Sequence, residues 1–188
     1  MRALVAAAAL LLSACASGLQ VVQDEFRTEE RIGAYLLKKG HKVTIATPNT
    51  QEVPGKVVIL DMTSESVPDY RVIIKSQSSG QDRQTSRILE RVVLVRLLSG
   101  VKLPRSSWGA ALEVINQHHA ASWAGTFTID TDDGEVVGYY PINITLTYSI
   151  HPEMVRDAWV RLCMSWEDLY KKLRPLSREA QAVALTPP

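Results

Sequence analysis

The sequence predicts an α+β domain, one antiparallel sheet with helices packed on it, in the order α-β-β-β-β-α-β-β-α. Three observations predict it. Between residues 42 and 98, four alternating or β-branched segments follow one another with turn residues between them. Asp133-Gly134 separates two further apolar runs, the strongest short-range hairpin signal. Three other stretches repeat apolar residues at helical spacing.

The first helix is expected at residues 28–39. Thr28 can cap it, Glu29 and Glu30 suit the positive end of its dipole, and Lys38 and Lys39 suit the negative end. Ile32, Tyr35 and Leu36 share a face, and Gly40 can take the C′ position. Residues 42–47 alternate, with Val43 and Ile45 on one side. Pro48 begins a loop that Pro54-Gly55 ends, and residues 56–62 are β-branched and apolar. Val67-Pro68-Asp69 turns the chain into a strand over 70–75. Residues 76–86 are polar and contain glycine, which reads as an exposed connection.

Ile88 to Leu98 is apolar enough for strand or helix, and Val92, Val93 and Val95 favour the strand. Ser106 or Ser107 then caps a second helix, with Trp108, Ala111, Leu112 and Ile115 at core spacing. Residues 123–130 form a strand, Asp132-Asp133-Gly134 turns, and residues 135–148 return. Gly138 and Pro141 are expected to bend or bulge the return strand and to suit an edge. Pro152 opens the last helix at its first position. Val155, Trp159, Leu162, Trp166, Leu169 and Leu173 then recur at steps of four and three, until Arg174-Pro175 ends the pattern.

The N-terminus carries an address. Met1-Arg2 is a short basic start, Ala3 to Leu12 an uncharged apolar run, and Ser13-Ala14 a small-residue site, the layout of a secretory signal. The apolar run is about half the ~20 residues that a membrane-spanning helix needs. Leu12-Ser13-Ala14-Cys15 resembles the bacterial lipobox. The resemblance implies cleavage between Ala14 and Cys15, a diacylglyceryl group on the Cys15 thiol, and an acyl chain on its new amine. Only a thiol has the nucleophilicity this step needs, and two or three chains hold a protein on a bilayer where one does not. Ala16 stands where aspartate retains many such proteins at the inner membrane, which favours the outer membrane facing the periplasm. The expected organisation is a signal peptide at 1–14, a lipidated tether at 15–25, a folded domain at 26–175, and a C-terminal tail at 176–188 able to hold a short helix.

Composition narrows the partners. Lys and Arg number 21 and Asp and Glu 20, and removing Arg2 with the signal balances the mature chain. No basic stripe points to nucleic acid. Committing Cys15 to lipid leaves Cys163 without a disulfide partner, because the chain has two cysteines. Cys163 lies beside the apolar stripe of the last helix and reads as a small buried hydrophobe.

Several segments together resemble the YbjN-domain family. They are "TEERIGAYLLKKGHKVTI" at 28–45, "ALEVINQHHAASWAGTFTIDTDDGEVV" at 111–137 and "HPEMVRDAWVRLCMSWEDLYKKL" at 151–173. The resemblance spans residues 26–175 and implies a fold like that of type III secretion chaperones. It implies no catalytic residue and no cofactor.

The residues themselves offer little chemistry. There is no nucleophile elbow, phosphate loop or dinucleotide fingerprint. Asp130, Asp132 and Asp133 have the wrong followers for a calcium loop, since Pro141 falls where its closing Glu belongs. His118 and His119 are helix neighbours that diverge by ~100° and so do not share a metal. His41 and His151 stand alone beside turns. Trp108, Trp159 and Trp166 sit at core spacing, with a groove for a partner's apolar segment as the rival reading. The expectation is a membrane-anchored, non-enzymatic envelope protein that binds another envelope protein. The alternatives are a small-ligand or lipid carrier, or a hydrolase joining His118 to Asp130 or Asp133.

Overall fold

A computed structural model describes residues 25–47, 56–81, 88–122, 124–145 and 151–184. The signal with Ala14, the tether from Cys15 through residue 24, Trp123 and Tyr148 lie outside the described residues, while Glu25 already belongs to the first helix. The described chain forms α1 (Glu25–Lys38), β1 (Thr44–Ala46), β2 (Val57–Met62), β3 (Tyr70–Gln81) and β4 (Ile88–Lys102). A 3-10 turn (Arg105–Ser107) then leads into α2 (Trp108–Ala121), β5 (Thr126–Ile129), β6 (Glu135–Thr145) and α3 (Pro152–Ala184). The order is the expected one. Six strands form a single sheet in the order β1-β2-β3-β4-β6-β5, antiparallel throughout. α2 carries the chain from β4 to the far edge, and the β5–β6 hairpin brings it back beside β4.

Helix α1 begins a turn before the expected Thr28. Thr28 and Glu29 are buried inside it rather than capping it. The reason is polar pairing with the sheet. The Ser76 amide and hydroxyl both donate to Glu29 Oε1, at 2.6 and 2.7 Å, and buried Arg91 donates from Nη1 to Thr28 Oγ1 at 3.4 Å. At its other end Gly40 takes φ 86°, the Gly40 amide donates to Leu37 O, and the His41 amide donates to Leu36 O. This 6→1 and 5→2 pair closes the helix, and glycine accepts the left-handed conformation without a Cβ penalty.

The sheet departs from expectation in two strands. β3 does not stop at Lys75 but continues to Gln81, pairing with β4 as far as Ile88. Its polar residues fit because Ser76 faces Glu29 while Gln77 is exposed. β6 is an interior strand, and its pairing with β4 runs without a shift from Val137 to Thr145. Gly138 therefore makes no bulge. Pro141 lies beyond Tyr139, where pairing with β5 ends, so this part of β6 has β4 as its neighbour and behaves locally as an edge.

What Gly138 provides is room. A Cβ there would come within 2.7 Å of Phe127 Cε1 and 3.3 Å of Leu162 Cδ1. The Phe127 ring covers this gap and packs against Trp166 at 6.1 Å between centroids. The hairpin turn beside it is built from its own acids. Asp130 Oδ1 accepts the Asp132 amide, Asp133 Oδ1 accepts the Glu135 amide, and the Gly134 amide donates to Asp130 O. Gly134 holds φ 80°, and any Cβ would lie 2.4 Å from Leu103 O.

The apolar stripe of α3 is buried as its spacing requires: Val155, Trp159, Leu162, Trp166, Leu169 and Leu173 all belong to the core. The helix does not end at Arg174. It runs through Pro175 to Ala184, taking in the first part of the expected tail. Partly buried Leu176 extends the stripe, and the Ser177 hydroxyl donates to Arg174 O at 3.0 Å in the disturbed turn. In α2 the stripe is Ala111, Ile115 and His118, and Leu112 is exposed at 42%. Ser107 occupies the N-cap but makes no side-chain cap bond, because the 3-10 turn leads directly into the helix.

Removing the central ring should be costly. Trp166 is fully buried, so Trp166→Ala should lower stability by about 3–5 kcal/mol in urea unfolding. Gly138→Ala should lower it by about 1–3 kcal/mol through overpacking against Phe127.

Candidate functional site

Two surfaces of the described structure could carry function. The first is a cleft of about 540 Å³ where the C-terminal part of α2 meets the middle of α3. Its floor joins residues 47 apart in sequence: His118 Nε2 and Ser165 Oγ hydrogen-bond at 2.7 Å, both buried. Ser122 Oγ lies 3.3 Å from Ser165 Oγ and accepts the Ala124 amide. Arg161, Asp168, Lys171 and Lys172 rise along one wall. On α3, residues 161, 165, 168 and 172 fall three or four apart and so share a face. Lys171 Nζ donates to Asp168 Oδ1 at 2.9 Å, which holds that carboxyl below the usual range and raises the lysine. Burial, then the charge of Lys172, pushes the His118 imidazole below its ordinary value.

An imidazole on a hydroxyl can activate a nucleophile. Among the described residues, however, no carboxylate bonds the imidazole of His118 from its other side, as a catalytic triad requires. The acids proposed for it are elsewhere. Asp130 approaches Arg96 at 4.0 Å, and Asp133 accepts from Lys102 at 2.8 Å. His119 has a structural task, because its Nε2 accepts the Phe127 amide at 2.7 Å and so secures the start of β5. His41 packs edge-on against Trp159 at 4.7 Å, and the His151 carbonyl accepts the Met154 amide in the first turn of α3.

The three tryptophans are not brought together as a groove. Trp166 is fully buried between Phe127 and Tyr170, and Trp159 is 4% exposed in the core. Trp108 is half-buried near the β5–β6 turn, where Nε1 donates to Leu103 O at 2.9 Å and Arg105 lies over the ring. Cys163 is buried, and that burial pushes its thiol up to about 11. The Tyr70 phenol beside it is likewise raised, chiefly by burial.

The second surface is the outer face of the sheet. Val58, Leu60, Val72, Ile74, Val93, Val95 and Leu97 point into one core with the stripes of α1 and α3. The alternate residues point the other way. One row crosses all six strands: Thr44, Ile59, Ile73, Arg96, Tyr139 and Thr126. The flanking rows place Lys75, Leu94 and Pro141 on one side, and Asp61, Arg71 and Leu98 on the other. Among the described residues no helix packs on this face, and Ile59, Ile73, Leu94 and Leu98 remain half-buried. Arg71 Nε donates to Asp61 Oδ1 at 2.7 Å, and Arg96 lies over the Tyr139 ring at 5.6 Å. Sequence reasoning placed the residues of neither surface. The signal for the second was available, since β2 to β4 are apolar at successive positions and therefore on both faces.

No protein-family model matches the chain, and no curated protein matches it. Among solved structures, the chain is similar to the crystal structure of YbjN from E. coli, described as a candidate transcription regulator. The two share 14% identity with a TM-score of 0.45, over 76% of this chain and 89% of that one.

With Cys15→Ser, Cys163 is the remaining thiol; it should resist Ellman's reagent at about pH 8 and react fully once urea unfolds the chain. The folded value of His118 lies below its ordinary one. Its contribution to stability is therefore complete above about pH 6.5 and lost as pH falls through the lowered value. Urea midpoints should drop between about pH 7 and 5, and His118→Gln should make that drop smaller.

Proposed function

We propose that this chain is a lipid-anchored, non-enzymatic interaction module of the bacterial envelope, held on the outer membrane by Cys15 and binding another envelope protein. The observation that carries the reading is the half-buried apolar stripe on the outer face of the sheet, on which no helix packs among the described residues. Monomeric proteins rarely leave a large apolar patch in water, and one rimmed by charge is typical of a docking surface. On this face Asp61 pairs with Arg71 and Asp130 with Arg96, while Lys75 stands opposite Leu94 in the apolar stripe. The occupant that fits is an apolar segment of a partner protein with an acidic side chain placed to meet Lys75. The address rests on the lipobox-like run ending at Cys15. In the described residues no helix is long and apolar enough to cross a membrane.

Both halves of the proposal can be tested in cells. A photo-reactive amino acid at Ile73 or Leu94 should give a discrete adduct that one at exposed Val160 does not. Lys75→Glu in the same background should remove most of it. No adduct, or an equal one from Val160, would reject the face. Cys15→Ser should abolish palmitate labelling and membrane attachment, and attachment that persists would reject the anchor.

A further inference from the structure

The cleft between α2 and α3 has features that a helix junction does not need. Met164 is 64% exposed on its wall, the most exposed large apolar side chain among the described residues. Beside it, three basic side chains face one carboxylate, and that carboxylate is taken by Lys171. At the floor, the Ser122 hydroxyl accepts the Ala124 amide, which leaves its proton free to donate to Ser165 or into the cleft. A volume of about 540 Å³ lies within the ordinary range for small-molecule sites.

We propose that this cleft binds a small organic carboxylate, its head held by Arg161, Lys172 and the Ser122 hydroxyl and its apolar body laid over Met164. An anion without an apolar body, such as phosphate, leaves Met164 in water and so gains only the polar contacts. The His118 imidazole closes the floor through its hydrogen bond to Ser165. The ligand replaces water on an exposed thioether, which gives affinity, while the cations and hydroxyl fix its direction.

Titration calorimetry on the full chain tests this with three probes: sodium octanoate, 1-octanol and inorganic phosphate. Octanoate should bind saturably and at least about tenfold more tightly than either of the others. Arg161→Gln combined with Lys172→Gln should weaken octanoate by about tenfold or more. Met164→Ser should weaken octanoate and leave phosphate unchanged. All three positions are exposed, so unaltered urea unfolding will confirm that the variants are folded. Amide shifts on octanoate addition should centre on α2 and α3. The proposal is overturned by an absence of saturable octanoate binding, by octanol or phosphate binding as tightly, by indifference to the double variant, or by shifts centred on the sheet's outer face.

Discussion

The architecture depends on one close approach, the seating of the Phe127 ring over Gly138 with Leu162 against the same spot. Any side chain at 138 would force these apart, and the interior is packed too densely to absorb the displacement locally. Phe127 also meets Trp166 of α3 and lies beside His118 and His119 of α2. One ring thus locates both helices against the hairpin. The His118–Ser165 bond and the cleft above it exist because that contact sets how near α2 and α3 lie.

The other end of the sheet is held by different physics. α1 covers β2 and β3 with Ile32 and Leu36, but its first turns are tied down by Glu29, Ser76, Thr28 and Arg91. Apolar contact is non-directional and tolerates sliding. A buried carboxylate taking two bonds from Ser76 does not, since losing either leaves a buried polar group to desolvate unaided. The α3 side of the core therefore supplies area, and the α1 side supplies register.

These two mechanisms explain what was legible in the sequence. Periodicity reports apolar faces, so the α3 stripe, the order of the elements and the Asp133-Gly134 hairpin could all be read from it. Polar pairing leaves no periodic trace. Thr28 and Glu29 look like a helix start because capping and burial use the same residue types. Residues 76–81 look like a loop because the carboxylate that makes Ser76 a strand residue lies 47 positions earlier. Gly138 was misread because a glycine in a strand marks either a bulge or a close approach, and only the fold reveals the ring that fills its place. The His118–Ser165 pair is invisible for the same reason, as the two belong to separate helices.

The partition of the sheet also governs how function can be arranged. β4 and β6 present their buried residues, Val93, Val95, Ile142 and Ile144, toward the helices. Their alternates, Leu94, Arg96, Tyr139 and Pro141, face outward. The cleft and the outer face therefore lie on opposite sides of one layer, and occupants of the two would share no protein side chain. Neither would block the other by contact. Any influence between them would pass through the two strands, where the Gly138 seat opposes Leu97 in β4 and Phe127 in β5. Such a layer resists small displacement because its interior is close-packed. Independent occupation is then the physical default, so a partner held on the outer face would leave the cleft open to small molecules.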